Sequence, residues 1–327
     1  MSVVVVGGGA FGTAVACVLA RAVQDIFIVV RDAEQACSIN ESRKNLKYLP
    51  DFKLPRKLKA TTDISVVKSA GIVLLATPAK SIESICRLMA GNIPERAVVI
   101  NLAKGLSESF FTLDKLIAEL LPGNVVGALK GPNFARPLLQ GAPSGMTLAL
   151  SDVSRFSDVE KYFKNTVINL EHWHDVSAIE FISALKNVLA IVMGICDATE
   201  DNPNTRFMVI QHIVHEANVI LKSFGFDSQV LFTYAGIGDL LMTSLNDASR
   251  NRTLGLLIGR GFGFNGVTGP VLEGRRTVRM INQRLRESAD PNYLLSKLEE
   301  VLDEKLSPQL FFKIITQGAS KMRGVLC

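Results

Sequence analysis

The chain has 327 residues, 48% hydrophobic and 20% charged, with a formal net charge of +5 at pH 7. That length accommodates two domains, and the balance of apolar and charged residues excludes a disordered or coiled-coil chain. The basic residues are dispersed, which argues against a nucleic-acid partner, and the five cysteines are scattered without a Cys-x-x-Cys pair, as reduced cytosolic thiols are.

The first element carries the most information. Val3–Val6 is a β-branched strand that runs into Gly7-Gly8-Gly9-Ala10-Phe11-Gly12 and then a helical pattern over Ala10–Arg21. Strand, Gly-x-Gly-x-x-Gly and helix in that order suit a dinucleotide pyrophosphate. Gly7 allows the tight turn, Gly9 lets the backbone approach the phosphates, and Gly12 lets the helix pack close to the strand. The plainer alternative is a Gly-rich turn between core elements. Ser2–Ala20 carries no charge, but its glycines weaken a spanning helix and no basic segment precedes it. No other segment reads as long and apolar enough to cross a bilayer, so no integral membrane segment is expected.

Further strands are predicted at Ile26–Val30, Gly71–Ala76, Ala97–Leu102, Val125–Leu129 and Met146–Leu150. Helical patterns fall at Ser81–Met89, Phe111–Leu120 and Arg155–Phe163. Alternating units with continuous apolar strands imply a largely parallel sheet covered on both faces. The successive strands end in the glycine loop, Arg31-Asp32, Thr77-Pro78, Lys104-Gly105 and Gly131-Pro132-Asn133. Open α/β sheets bind ligands at the carboxyl ends of their strands, which gathers these residues on one crevice. Lys104 could also be a solvated loop lysine.

After about Val176 the strand signals stop. Helical spacing is predicted at Phe181–Cys196, Phe207–Phe224, Ser228–Leu245, Asn251–Ile258 and Tyr293–Leu302, with loops at Gly259–Gly269 and Glu287–Asn292. The expected fold class is α/β: a doubly wound, Rossmann-type dinucleotide-binding domain over 1–177, then an all-α substrate-binding and catalytic domain over 178–327.

Lys186 is the only charge between Phe181 and Cys196. It either snorkels out of an apolar face or is a desolvated amine tuned for acid–base work, with Asn187 beside it to orient a hydroxyl. Asp239 follows Gly236 and Gly238 at a helix start with Thr243 one turn on; it either complements the helix dipole or serves the site. Ser249-Arg250-Asn251-Arg252 is a phosphate-binding arrangement at a helix N-terminus, or a solvated cap. The four histidines lack convincing ligand partners, and no metal site is expected.

Together these motifs resemble the bacterial-type NAD(P)-dependent glycerol-3-phosphate dehydrogenases. The resemblance rests on the ordered set of the glycine loop with Phe11-Gly12-Thr13-Ala14, Val30-Arg31-Asp32, Ala103-Lys104-Gly105-Leu106 and Gly131-Pro132-Asn133-Phe134-Ala135. In the second half follow Leu185-Lys186-Asn187-Val188, Ala235–Leu240, Ser249–Arg252 and Val271-Leu272-Glu273-Gly274. The resemblance implies reversible hydride transfer between dihydroxyacetone phosphate and sn-glycerol 3-phosphate for glycerophospholipid synthesis, with NADPH or NADH as cofactor. It implies a cytoplasmic enzyme, a homodimer as one option, and an active site in the cleft between the domains.

Lys186 would exchange the hydroxyl proton, Lys104 would stand beside the substrate oxygen, and Asp239 and Thr243 would hold the lysine network. Gly131, Asn133, Asn187, Ser249, Arg250 and Asn251 would complete the substrate site, with Arg250 and Asn251 on the phosphate. Gly7, Gly9, Ala10, Phe11, Gly12, Arg31, Lys104, Ala135, Arg250, Val271 and Glu273 would contact the cofactor. Arg31 suits a 2′-phosphate or can stack on adenine, which implies dual use with a modest NADPH preference and Asp32 turned to solvent. Asn133 stands where the family usually has Ser or Thr, so its substrate contact would come from an amide, and Asp201–Arg206 also departs from the family pattern. Another hydroxyacid or ketoacid reductase of this architecture, or a non-catalytic dinucleotide-binding redox sensor, remains an alternative.

Overall fold

In the first strand, four consecutive valines place side chains alternately on the two faces of a sheet, and both faces are buried. Val3 and Val5 enter one apolar cluster, Val4 and Val6 the other. A run that is apolar at every position therefore marks a strand covered on both sides. The structure is a computed structural model that describes residues 2–109, 111–262, 270–287 and 293–322, without the side chains of residues 270–273, 287, 293 and 318–322.

Contacts divide the chain into two compact units, Met1–Phe181 and Ile182–Cys327. The division falls slightly beyond the expected 177/178 boundary, inside a helix. The first unit holds strands β1 (Ser2–Val6), β2 (Ile26–Val29), β3 (Leu58–Thr61), β4 (Ala70–Leu75), β5 (Val98–Asn101), β6 (Val125–Lys130), β7 (Ser144–Leu150) and β8 (Ile168–Trp173). Their order in the sheet is β3-β2-β1-β4-β5-β6-β7-β8. Every neighbouring pair is parallel except β6 with β7, so β2, β1, β4, β5 and β6 end on one edge. The order reverses between β1 and β4, which is where a doubly wound sheet opens its crevice.

Helices α1 (Ala10–Leu19), α2 (Ala33–Glu41), α3 (Ile82–Met89), α4 (Leu113–Leu120), α5 (Ala135–Leu139) and α6 (Phe156–Glu160) complete the alternation. Four of these elements escape the sequence patterns. β3 is four residues long with Lys59 exposed, and β8 alternates apolar with polar residues at the sheet margin. α2 is mostly polar, and α5 is five residues long with a proline inside it. The helix expected over Arg155–Phe163 shrinks to α6, preceded by a 3-10 turn at Val153–Arg155.

The second unit takes up helix α7 (Val176–Thr199) from Ile182 onward, followed by α8 (Pro203–Ser223), α9 (Asp239–Leu245), α10 (Arg250–Gly259), α11 (Pro270–Glu287), α12 (Tyr293–Leu302) and α13 (Pro308–Met322). Ser228–Leu245, expected as one helix, is broken into a 3-10 turn at Ser228–Phe232, a π turn at Tyr234–Gly238 and α9. The cause is local. The Thr233 hydroxyl caps a new start by accepting from the Gly236 N–H, and Gly236 adopts φ −81° and ψ −114°, outside the helical region. Of the two expected loops, residues 263–269 and 288–292 lie outside the described residues. Helices α11 and α13 were not anticipated; α11 is rich in arginine.

The expectation that no later segment could span a bilayer needs correction. Helix α7 has 24 residues and a stretch of mean hydropathy 1.8, long and apolar enough to cross. That stretch is 94% buried inside the protein, which is the environment of a core helix.

Candidate functional site

The loop after β1 is built so that side chains are impossible on one side and space is left on the other. Gly7 has φ +121°, and a Cβ there would stand 2.5 Å from the Ala76 carbonyl oxygen at the end of β4. A Cβ on Gly12 would fall 2.2 Å from the Gly7 carbonyl oxygen, so α1 approaches the strand as closely as backbones allow. A Cβ on Gly9 would meet nothing within 4 Å. Gly9 is the N-cap of α1, no side chain caps it, and the first turn carries no acidic residue. The first amides of α1 and the positive end of its dipole thus remain available to an anion, which fits a dinucleotide pyrophosphate.

Two residues absent from the sequence reading hold this loop. Buried Asn45 donates through Nδ2 to the Gly8 carbonyl (2.9 Å) and the Thr13 hydroxyl (2.8 Å), and Gln35 Nε2 donates to the Gly8 carbonyl (2.6 Å) and Asn45 Oδ1 (3.1 Å). Neither lies in a motif, and their partners are more than twenty residues away in sequence for the loop contacts.

At the end of β2, Arg31 is exposed, whereas Asp32 caps α2 by accepting the Glu34 N–H (3.0 Å). Asp32 is therefore committed to a helix rather than simply turned to solvent. After β4, the Thr77 hydroxyl oxygen is buried with no hydrogen-bond partner. Half-buried Lys104 follows β5, and Gly131 and Asn133 follow β6, with Ala135 opening α5. Asn133 Nδ2 donates to the Gly145 carbonyl (2.9 Å), leaving its Oδ1 buried and unpartnered. One hydrogen of its NH2 group is thereby engaged, and the buried Oδ1 is an acceptor from which the amide contact expected of Asn133 can come. The sheet brings Gly7, Gly9, Ala10, Phe11, Gly12, Arg31, Lys104, Gly131, Asn133 and Ala135 to one edge of the first unit.

In the second unit, Lys186 on α7 and Asp239, the first residue of α9, are both fully buried and form an ion pair through Nζ and Oδ2. The Thr243 hydroxyl, one turn along α9, donates to Asp239 Oδ1 (3.4 Å). The lysine is thus neither snorkelled nor solvated. Asn251 Nδ2 donates to Asn187 Oδ1 (3.0 Å), and Ser249 caps α10 by accepting from the Arg252 N–H. Arg250 is exposed in the first turn of α10. Its neighbour Arg252 is spent on Asp197 (2.7 Å) and Asp247. The Val271 and Glu273 side chains lie outside the described residues.

Two family models cover most of the chain: the NAD-dependent glycerol-3-phosphate dehydrogenase N-terminus matches residues 2–155 and the corresponding C-terminus residues 175–313. The chain belongs to the NAD-dependent glycerol-3-phosphate dehydrogenase family. It is 33% identical over 309 residues to glycerol-3-phosphate dehydrogenase [NAD(P)+] of Teredinibacter turnerae, covering 93% of this chain and 91% of that protein. The protein of the same name from Methanothermobacter thermautotrophicus is 34% identical over 286 residues, covering 86% and 88% of the two chains. The crystal structure of glycerol-3-phosphate dehydrogenase from Coxiella burnetii shares the fold, with TM-score 0.85 at 24% identity over 96% of this chain and 98% of that one.

This family member also carries a buried charge cluster in its first unit that the sequence reading passed over. Lys130, the last residue of β6, and Glu180 are both buried, 3.3 Å apart, and Asn101 Nδ2 donates to Glu180 Oε1 (2.7 Å). Burial pushes the Glu180 carboxyl up from 4.5 to about 7, a shift that the Lys130 charge opposes and Asp114 reinforces. Burial also lowers the Lys130 ammonium, against the pull of Glu180.

The folded carboxyl holds its proton more tightly than the unfolded one. Its contribution therefore leaves stability unchanged below 4.5 and erodes it as pH rises to about 7, above which the loss is complete. Glu180→Gln removes that titration. The stability of the wild type relative to the variant, from denaturant midpoints, is expected to fall across this window and then level; parallel curves would contradict the assignment.

Proposed function

We propose that the protein is an NAD(P)-dependent sn-glycerol-3-phosphate dehydrogenase, reducing dihydroxyacetone phosphate to sn-glycerol 3-phosphate and running the reverse reaction. The observation that carries this reading is the buried Lys186–Asp239–Thr243 group, in a chain of this family whose glycine loop keeps its helix N-terminus open to an anion. When bound, the nicotinamide supplies the hydride to C2 of the ketone, or takes it from C2 of the alcohol.

The chain's own residues do the rest. In the second unit the Lys186 ammonium donates a proton to the C2 oxygen during reduction and takes it back during oxidation. Asp239 fixes the amine by ion pairing, and the Thr243 hydroxyl fixes Asp239. A proton donor held in a desolvated setting needs no solvent reorganisation as charge develops on the substrate oxygen. Arg250 and Asn251 bind the substrate phosphate at the start of α10, Asn187 orients Asn251, and Ser249 holds the helix end in shape.

In the first unit the amides at Gly9–Gly12 take the pyrophosphate and Lys104 binds a substrate oxygen. Asn133 Oδ1 accepts from a donor on substrate or cofactor. Cys17, Cys37, Cys86 and Cys196, all unpaired, agree with a cytoplasmic location.

Lys186→Met is expected to lower turnover of dihydroxyacetone phosphate by about 10²–10⁴-fold. NADPH affinity, measured by fluorescence titration, should persist. A folded variant with wild-type turnover would remove Lys186 from the chemistry.

Cofactor choice rests on Arg31, because Asp32 is already engaged at α2. Arg31→Ala is expected to weaken NADPH binding on the order of tenfold, the loss of one charge-assisted phosphate contact, and NADH binding by less. An unchanged NADPH/NADH affinity ratio would overturn this role.

A further inference from the structure

We infer that Lys130 and Glu180 are positioning residues for Lys104, forming a buried strut beneath the loop that carries it. The inference rests on the proposed role of Lys104 in binding substrate. β5 makes its last contact with the sheet where the Leu102 N–H donates to the Leu75 carbonyl (2.9 Å). Beyond that point Ala103, Lys104 and Gly105 leave the sheet, and Gly105 turns the chain at φ +140°. A segment leaving a strand in this way must have its backbone groups satisfied by something other than the ladder.

The strut supplies those partners from one side. Lys130 Nζ donates to the Asn101 carbonyl (3.1 Å) and the Ala103 carbonyl (2.5 Å), and pairs with Glu180 Oε1 (3.3 Å). Three ammonium hydrogens thus face three oxygens. The Ala103 N–H donates to Asn101 Oδ1 (2.9 Å), and Asn101 Nδ2 donates to the same Glu180 oxygen (2.7 Å). The residue immediately before Lys104 is therefore held at both its N–H and its carbonyl, by groups that converge on Glu180.

Stability does not explain the arrangement. Removing two charges from water is expensive, and well-packed apolar residues in place of a buried ion pair are often as stable or more so. What the pair provides is direction: a fixed ammonium at one end of β6 sets where the neighbouring strand's last carbonyls lie, and with them the origin of the Lys104 side chain. Lys130 uses its ammonium hydrogens on Asn101, Ala103 and Glu180, which leaves none for a substrate, so it acts through Lys104.

The test is a double-mutant cycle on the full-length protein. One change is Lys104→Ala, and the other is the neutral pair Lys130→Met with Glu180→Gln, which leaves no lone buried charge. Lys130→Met alone serves as the second variant should the pair fail to fold, because the Glu180 carboxyl, already pushed up by burial, can take a proton once the ammonium is gone. In the wild-type background the strut change is expected to lower kcat/KM for dihydroxyacetone phosphate by roughly 10- to 100-fold, with NADPH affinity falling by far less. In the Lys104→Ala background it should lower kcat/KM little further, because the group being positioned is gone.

A loss of the same size in both backgrounds would make the strut a general structural element and overturn the inference. So would an unchanged kcat/KM in the first background. A wild-type protein that binds NADPH yet does not turn over dihydroxyacetone phosphate would overturn the proposed function itself, and the role of Lys104 with it.

Discussion

Parallel strands buried on both faces leave a chain few places to put chemistry. In the first unit β1, β2, β4, β5 and β6 commit their apolar side chains to two clusters, one on each face of the sheet. Polar groups that must meet a ligand are confined to the turns where these strands end, and parallel pairing puts those turns on one edge. The glycine loop, Arg31, Lys104 and Asn133 are consequences of that confinement. So are the residues behind them: Asn45 and Gln35 pin the Gly8 carbonyl, and Lys130 and Glu180 pin Ala103.

Each unit buries a lysine beside a carboxylate, and the two pairs answer the same desolvation cost in different ways. Lys130 spends its hydrogens on two backbone carbonyls and Glu180, so its ammonium is saturated and immobile. Lys186 faces Asp239, which is braced in turn by a hydroxyl. A saturated ammonium suits a strut, and a buried amine paired with a braced carboxylate suits proton exchange with a substrate oxygen. In the proposed mechanism the same residue type carries structure in one unit and chemistry in the other.

The features legible in the sequence were those whose cause is local. The glycine loop follows its strand directly, and Lys186 stands out as a lone charge among apolar residues at helical spacing. The Ser249 cap and the Asp239 helix start are likewise written within a few residues. What stayed hidden depends on distant partners. Asn101, Lys130 and Glu180 are ordinary residues until the sheet brings them together, and Asn45 is an ordinary loop asparagine until it meets Gly8. β3 and β8 are marginal strands whose short or alternating patterns resemble loops, and the break in Ser228–Leu245 comes from a cap at Thr233 and a bend at Gly236 that periodicity does not register. Position 32 shows the limit in miniature: the acid at the end of β2 reads as turned to solvent, and it is a helix cap.

The central claim is that this chain moves a hydride to C2 of a phosphorylated ketone while a buried lysine protonates the oxygen. NADPH or NADH carrying deuterium at the transferred position, incubated with the wild-type protein and dihydroxyacetone phosphate, tests it most directly by mass spectrometry of the product. The expected result is sn-glycerol 3-phosphate with one deuterium at C2 for each cofactor oxidised. Cofactor that binds without being oxidised, or a product with no deuterium at C2, would contradict the account.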